Sequence, residues 1–322
     1  MHRPSPRIEG VDVELASKRR LLDGSVWLNQ YRVCEKLAST ELSSVFRVEG
    51  TNADTGEVTS YCCKRYRKML LLRRRDFRPG PTGMGFKTKM EDVKEEARML
   101  SLLKHPRCLE LQAILDSNLD SAEGKVYFLT NFLVGGALMV LRPLRDGMQE
   151  RSHLLKDLKV DNLLLGADGR VCVGDFGSAE KMGANGKVRH TKGTYMFMAP
   201  ECFRPLDDTK LYEGHDGRAA DAWALGICTY VMVFGVVPFD DSSIESLFEA
   251  LGEGVVTIPS EPPISPELRD FLGKVLHPEW KDRMSVRQIL SHPWVASANY
   301  KDAADYAGAL LQQRSLDDHI DN

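Results

Sequence analysis

Between Asp221 and Asp240 the chain runs for 18 residues, AWALGICTYVMVFGVVPF, without a charge. Such a run cannot stay in water, so the fold must supply either a bilayer or a protein interior deep enough to surround a helix. Its length sits at the lower bound for a membrane span. Gly226, Gly235 and Pro238 interrupt it, which favours a helix buried in protein. A core of that size suits 322 residues, more than one hydrophobic core usually serves, so two lobes are expected. With 43% hydrophobic and 28% charged residues the composition is that of a soluble globular enzyme, and a net charge of −3 argues against general affinity for nucleic acid or membrane. The seven cysteines have neither disulfide-framework nor zinc spacing, and MHRPSPRIEGVDVE lacks the apolar stretch of a secretory signal. A reducing, cytoplasmic setting is the expectation.

Residues 1–30 mix proline, arginine and aspartate without periodicity and read as a flexible extension. From Tyr31, the segments YRVCEKLA, SSVFRVEG and EVTSYCCKRY read as an antiparallel meander separated by STEL and NADTG. KRYRKMLLLRRRDFR, 64–78, is the longest charge cluster, a basic face open to solvent or an insert with its own role, and loop-like PGPTGMGF follows it. In TKMEDVKEEARMLSLLKH, 88–105, Val93, Ala97 and Leu100 fall at helical spacing, with acids early and bases late as the helix dipole prefers. CLELQAIL and KVYFLTNFLV read as strands, and NLLLGADGRVCVGDF as a hairpin turning at Asp168-Gly169. Apolar stripes broken by proline beyond residue 200 read as helices. The pattern predicts an α+β fold: a small sheet lobe (31–134), a larger helical lobe (135–295) and an acidic tail (296–322).

Charged and amide residues then recur in the order phosphoryl transfer requires: a cation for the nucleotide phosphates, oxygens for Mg²⁺ and an acceptor for a hydroxyl proton. Lys64 follows a strand, and Glu96 sits on the next helix, where the two could pair. Asp157 and Asn162 stand five apart in SHLLKDLKVDNLLLG, Asp175-Phe176-Gly177 begins 18 residues after Asp157, and Met198-Ala199-Pro200-Glu201 ends 26 residues after Asp175. Asp221-x-Trp223-x-x-Gly226 and Arg283 lie beyond. Singly each is weak, since a lone lysine is usually solvated and Asp-Phe-Gly is usually a turn. Together they resemble the eukaryotic protein kinase family over residues 31–295.

That resemblance implies a bilobal protein kinase-like fold and transfer of the γ-phosphoryl group of ATP, with Mg²⁺, to serine or threonine of a protein substrate. It gives Lys64 the α/β-phosphates in partnership with Glu96, Asp157 the role of catalytic base, Lys159 the signature of the serine/threonine class, and Asn162 and Asp175 the metal. It places adenine against Leu37, Val45, Cys62, Thr130, Asn131, Leu133 and Leu164. Glu201 and Arg283 would form a buried ion pair, and the uncharged run the central helix. Thr194 would pair with Asp157 and Lys159, leaving Thr191 as the candidate phosphosite. Within the family the basic insert after YCCKRYRKMLL, together with VYFLTNFLVGGALMVL and GTYMFMAPE, is similar to the calcium/calmodulin-dependent protein kinase kinases, which implies another kinase as substrate. A calmodulin site is not supported, because KDAADYAGALLQQRSLDDHIDN is acidic.

Three departures qualify that implication. Where the family carries G-x-G-x-x-G-x-V, this chain has Ala38-Ser39-Thr40-Glu41-Leu42-Ser43-Ser44-Val45, whose side chains hinder backbone approach to phosphate and whose Glu41 sets a negative charge beside it. Leu155 and Lys156 replace the histidine and arginine before the catalytic aspartate, so the bidentate grip on an activation-loop phosphate is lost. Only 20 residues separate Gly136 from Asp157, where the family fits two helices. Losing the longer one forfeits some five large apolar side chains at about 1.5–3 kcal/mol each, against a whole-domain stability of about 5–15 kcal/mol. Either another element covers that face, or the domain is compromised, or the chain is an incomplete product of its gene. Two functions follow: a protein kinase, or a pseudokinase scaffold that binds a kinase or substrate without catalysis.

Overall fold

The computed structural model describes residues 8, 10–52, 55–80, 83–133, 158–166, 168, 170–179, 187–188, 194–203, 215–239 and 243–297. Leu155, Lys156, Asp157, Thr191, the interval 134–157 and the tail beyond 297 lie outside the described residues. The chain divides into two compact units, Met1–Val134 and Gly135–Asn322.

In the first unit, β1 (Glu14–Leu15), β2 (Lys18–Arg20), β3 (Val26–Leu28), β4 (Tyr31–Ser39), β5 (Ser43–Thr51) and β6 (Val58–Arg67) are followed by α1 (Lys68–Arg73). Then come β7 (Arg75–Gly80), β8 (Gly83–Thr88), α2 (Lys89–Leu102), β9 (Leu111–Asp116) and β10 (Lys125–Asn131). Eight strands form one sheet in the order β1-β9-β10-β6-β5-β4-β3-β2. Its two outermost strands, β1 and β2, are separated only by Ala16 and Ser17, so the sheet must curl until its edges meet. Asn29 clasps that junction. Its side chain accepts from Ser17 N at 2.6 Å and donates to Leu15 O at 3.1 Å, and its φ of 51° places it in the left-handed region that asparagine tolerates.

Strand alternation gives β6 two faces with different tasks. Tyr61 and Cys63 point into a core with Leu28, Tyr31, Val48, Leu115, Tyr127 and Leu129, which Ala16 helps to cover. Cys62, Lys64 and Tyr66 occupy the other face, in register with Thr130, Phe128 and Val126 of β10. There α2 packs against α1, β8 and β9, and it buries Val93, Ala97 and Leu100, the residues whose spacing predicts it, together with Met90. Glu91 Oε2 accepts from the Thr88 backbone N–H at 2.5 Å and hydroxyl at 3.0 Å, fixing the start of α2.

Three differences from the sequence reading concern this unit. Residues 14–28, read as part of a flexible extension, contribute three strands that close both edges of the sheet. PGPTGMGF is not a loop: Arg75–Gly80 pairs antiparallel with Gly83–Thr88. Within the basic cluster, Lys68 is fully buried, its ammonium 2.7 Å from Asp116 Oδ2 with both side chains at 0% exposure. Two of its three protons go to Asn118 O at 2.6 Å and Ser121 O at 3.2 Å, and the Asp116 carboxylate balances its charge.

The second unit opens with the 3-10 turn Val160–Asn162, β11 (Leu163–Leu165) and β12 (Val171–Val173), which pair as the expected hairpin. Two-residue strands β13 (Lys187–Val188) and β14 (His215–Asp216) pair with each other, and 3-10 turns cover Tyr195–Phe197 and Pro200–Cys202. The helices are α3 (Gly217–Phe234), α4 (Ile244–Glu253), α5 (Pro266–Val275), α6 (Val286–Ser291) and α7 (Pro293–Ala296). The uncharged run forms most of α3, capped by Asp216 accepting from Arg218 N at 2.8 Å and ended by Gly235 at φ 75°. Trp223, Ile227, Cys228 and Val231 are wholly buried among Phe271, Leu272 and Val275 of α5. Gly226 lets the two helices approach: a Cβ there would lie 2.7 Å from Leu276 and 2.8 Å from Val275 side-chain atoms. Protein therefore surrounds the run from Ala222 to Val231, while Met232 and Val236 beyond it are exposed, and among the described residues no helix is long and apolar enough to cross a membrane.

Candidate active site

Each unit carries its own set of functional side chains. In the first, Lys64 Nζ donates to Glu96 Oε1 at 2.9 Å, across 32 residues of sequence. The Lys64 side chain is 29% exposed and that of Glu96 8%, so the carboxylate is the more shielded member of the pair. The Glu96 carboxylate has a second partner that sequence reasoning missed, the Tyr66 hydroxyl, which donates to Oε2 at 2.6 Å. Strand alternation was the available signal, because residues two apart on a strand share a face.

Val45 lies opposite Lys64 in the register of β5 and β6, and Thr130 opposite Cys62 in that of β6 and β10, so these four share one face of the sheet. Burial pushes the Cys62 thiol up, with the Thr130 hydroxyl and the Lys64 charge acting in the opposite sense, and the group stands as a neutral SH. Leu37 sits in the irregular stretch of β4 between Lys36 and Ala38 and is 44% exposed. Asn131 is paired with Tyr61, on the face away from Lys64, and its Oδ1 accepts from Glu110 N at 2.9 Å. Leu133 follows β10 and is half-buried.

The turn that replaces the glycine-rich loop closes without glycine. Thr40 N donates to Ser43 O at 2.9 Å, Ser43 N donates to Thr40 Oγ1 at 3.1 Å, and the two hydroxyls lie 2.9 Å apart. Hydroxyl hydrogen bonds thus supply the tight reversal, and no residue of this turn has positive φ. Glu41 at its tip forms an ion pair with Arg74, which follows α1, so the negative charge expected to oppose phosphate has a cation beside it.

In the second unit, Lys159 donates to Thr194 Oγ1 at 3.4 Å, linking the segment before the hairpin to the one that leads to Glu201. Asn162 ends the 3-10 turn, and its carbonyl accepts from Gly174 N at 2.8 Å. That places Asn162 directly before one strand of the hairpin and Asp175 one residue, Gly174, beyond the other. Leu164, between them on β11, is half-buried, and a Cβ at Gly174 would lie 2.8 Å from its side chain. Asp175 has φ 54°, and its Oδ1 accepts from Gly177 N at 3.1 Å. A non-glycine residue in that region is strained unless its surroundings hold it, and such residues cluster at functional sites. The amide oxygen of Asn162 and the carboxylate of Asp175 are hard donors of the kind Mg²⁺ takes.

Below this lies the Glu201–Arg283 pair. Arg283 Nη1 and Nη2 donate to Glu201 Oε1 and Oε2 at 2.7 and 2.8 Å, Nη1 also donates to Ala219 O at 2.8 Å, and Nε to His277 O at 3.0 Å. The guanidinium carbon lies 4.9 Å from the Trp223 ring centroid, so the pair anchors the Pro200–Cys202 turn to α3.

Comparison with known proteins gives this arrangement its context. A family model described as the protein kinase domain matches residues 146–295, all within the second unit. Two proteins of Arabidopsis thaliana, serine/threonine-protein kinases GRIK1 and GRIK2, are 27% and 29% identical, each over 85% of this chain and over 68% and 67% of their own lengths. That coverage reaches well into the first unit. CBL-interacting protein kinase 31 of Oryza sativa subsp. japonica is 29% identical over 64% of this chain, which spans only about half of that relative, 47%. The chain thus has the α+β fold of a protein kinase domain and serine/threonine protein kinases as its relatives.

Proposed function

We propose that the chain is an ATP-dependent serine/threonine protein kinase acting on a protein substrate. The observation that carries this reading is the Lys64–Glu96 pair at 2.9 Å, formed between a sheet and a helix with the carboxylate shielded. A bare loop lysine would not be held this way. Lys64 holds the α- and β-phosphates, and Glu96 keeps its ammonium in place. Magnesium, when bound, neutralises charge on the phosphates, and Asn162 and Asp175 supply its oxygen ligands. Asp157 accepts the proton of the substrate hydroxyl, and Lys159 orients that loop through Thr194. Val45, Cys62 and Thr130 form the part of the adenine surface that shares a face with Lys64.

Likeness to the calcium/calmodulin-dependent protein kinase kinases supports another kinase as the substrate. The seven cysteines, all free thiols, support a reducing cytoplasmic setting. Transfer of ³²P from Mg-ATP to protein tests the reading: it should fall about 10²–10⁴-fold in Asp157→Ala. Melting-point elevation by Mg-ATP should vanish in Lys64→Ala. A chain that neither transfers phosphate nor is stabilised by Mg-ATP is no kinase. Stabilisation without transfer would leave the binding scaffold.

A further inference from the structure

We infer that Tyr66 is a positioning residue of the phosphate-holding pair, fixing Glu96 through the hydrogen bond from its hydroxyl. This deepens the kinase reading and rests on it. Glu96 uses both oxygens, Oε1 toward Lys64 Nζ at 2.9 Å and Oε2 toward Tyr66 Oη at 2.6 Å. The side chain is 8% exposed, so water is a poor substitute for either donor. Tyr66 is itself held. It is 5% exposed, its ring meets Phe128 edge-on at 5.5 Å between centroids, and the Lys64 ammonium lies 5.3 Å from its own centroid. Lys64 and Tyr66 project from the same face of β6, two residues apart, so one rigid strand presents both donors to one carboxylate on α2.

Two donors on two oxygens restrict rotation of the carboxylate in a way that one ion pair does not. With Lys64 alone, Glu96 could swing and still keep a contact of similar energy. With Tyr66 as a second fixed point, the carboxylate plane is set, and with it the place where the ammonium stands. The α2 helix is tied to β6 by the same bond, so the pair is assembled in the chain alone. The Tyr66 ring also shields the ammonium from water on one side, which strengthens its attraction for a phosphate group.

Tyr66→Phe removes the hydroxyl and keeps the ring against Phe128 and Lys64. It should still unfold cooperatively, with a melting temperature only a few degrees lower because Glu96 Oε2 loses a buried donor, so nucleotide affinity is read on a folded protein. Mg-ATP affinity, read by thermal shift or calorimetry, should fall about tenfold, the worth of a hydrogen bond to a charged group. The KM for ATP should rise by a similar factor, with KM for the protein substrate unchanged. In a Glu96→Ala background the same substitution should leave Mg-ATP affinity where it is, because the carboxylate it acts through is gone. Wild-type nucleotide affinity and KM in Tyr66→Phe would overturn the inference while leaving the kinase reading intact. An equal loss in the Glu96→Ala background would also overturn it, assigning the effect to the ring pocket. A parent chain that binds no Mg-ATP would overturn the kinase reading and this inference together.

Discussion

Removing the Glu201 charge while keeping its shape tests how the second unit is held together. In Glu201→Gln, the Arg283 guanidinium, whose side chain is 0% exposed, keeps Ala219 O and His277 O as acceptors but loses its counter-charge. One of its two contacts with residue 201 would also then face an NH₂ instead of an oxygen. Breaking one partner of a buried pair leaves an uncompensated buried charge, which costs about 3–5 kcal/mol. The surviving carbonyl acceptors set the expectation at the lower end, about 3 kcal/mol, or about 6–12 °C in melting temperature for a unit of this size. Arg283→Met should cost about 4 kcal/mol, because it strands the Glu201 carboxylate as well as those carbonyls. The double variant Glu201→Gln/Arg283→Met should lose only about 2 kcal/mol, since neither charge is then buried alone and only the carbonyls of Ala219, His277 and Pro278 remain to be satisfied. Urea denaturation of the four proteins, followed by circular dichroism, gives the cycle directly. Singles that lose less than about 1 kcal/mol, or a double that loses the sum of the singles, would refute the reasoning, because either result means the charges are not energetically coupled.

Other expectations follow from the same geometry. Arg74→Ala should raise the KM for Mg-ATP about threefold at low salt by leaving the Glu41 charge unopposed; as the pair is largely exposed, the effect should shrink at high salt and disappear in Arg74→Ala/Glu41→Gln. Cys63 is buried and its thiol is pushed up to about 12, so iodoacetamide at pH 8 should leave it unmodified in the native protein and alkylate it in urea, as peptide mass mapping would show. The Asp270 carboxyl is held below its ordinary range, first by Lys274 and then by His292. Its stabilising contribution is complete above the ordinary aspartate range near pH 4 and fades as pH falls through the lower folded value. Asp270→Asn should therefore lower the urea midpoint at pH 7, and the difference from the parent should close on acidification; a difference that stays constant from pH 7 to pH 3 would count against the assignment.

Patterns that repeat along the chain were readable, and those that depend on distant cover were not. The spacing of Val93, Ala97 and Leu100 announces α2 because one apolar stripe on a helix needs only a neighbour to bury it, and the uncharged run announces α3 because nothing but protein or lipid can surround it. By contrast, β1, β2 and β3 are two or three residues long, too short for any period to show, and from this stretch only Leu28 and the neighbouring Ala16 cover the Tyr61 and Cys63 face of β6. The glycines and prolines of PGPTGMGF carry turn chemistry, and that masks the local pairing of Arg75–Gly80 with Gly83–Thr88. Lys68 reads as one more exposed base until the Asp116 carboxylate is placed beside it. Lys64 and Glu96 were legible as a pair from their order and elements, whereas Tyr66 was not, because only the packed structure shows which hydroxyl reaches the second carboxylate oxygen.

The closed sheet has a practical corollary for anyone trimming this protein. With Asn29 joining Ser17 to Leu15, residues 14–29 act as a buckle rather than a leash. A version begun at Tyr31 would unfasten both margins at once and strip Leu28 and Ala16 from the aromatic interior beneath. Raw backbone donors and acceptors along β4 and β9 would then be free to stitch onto a second molecule, so the shortened protein should clump instead of behaving as a tidy minimal domain.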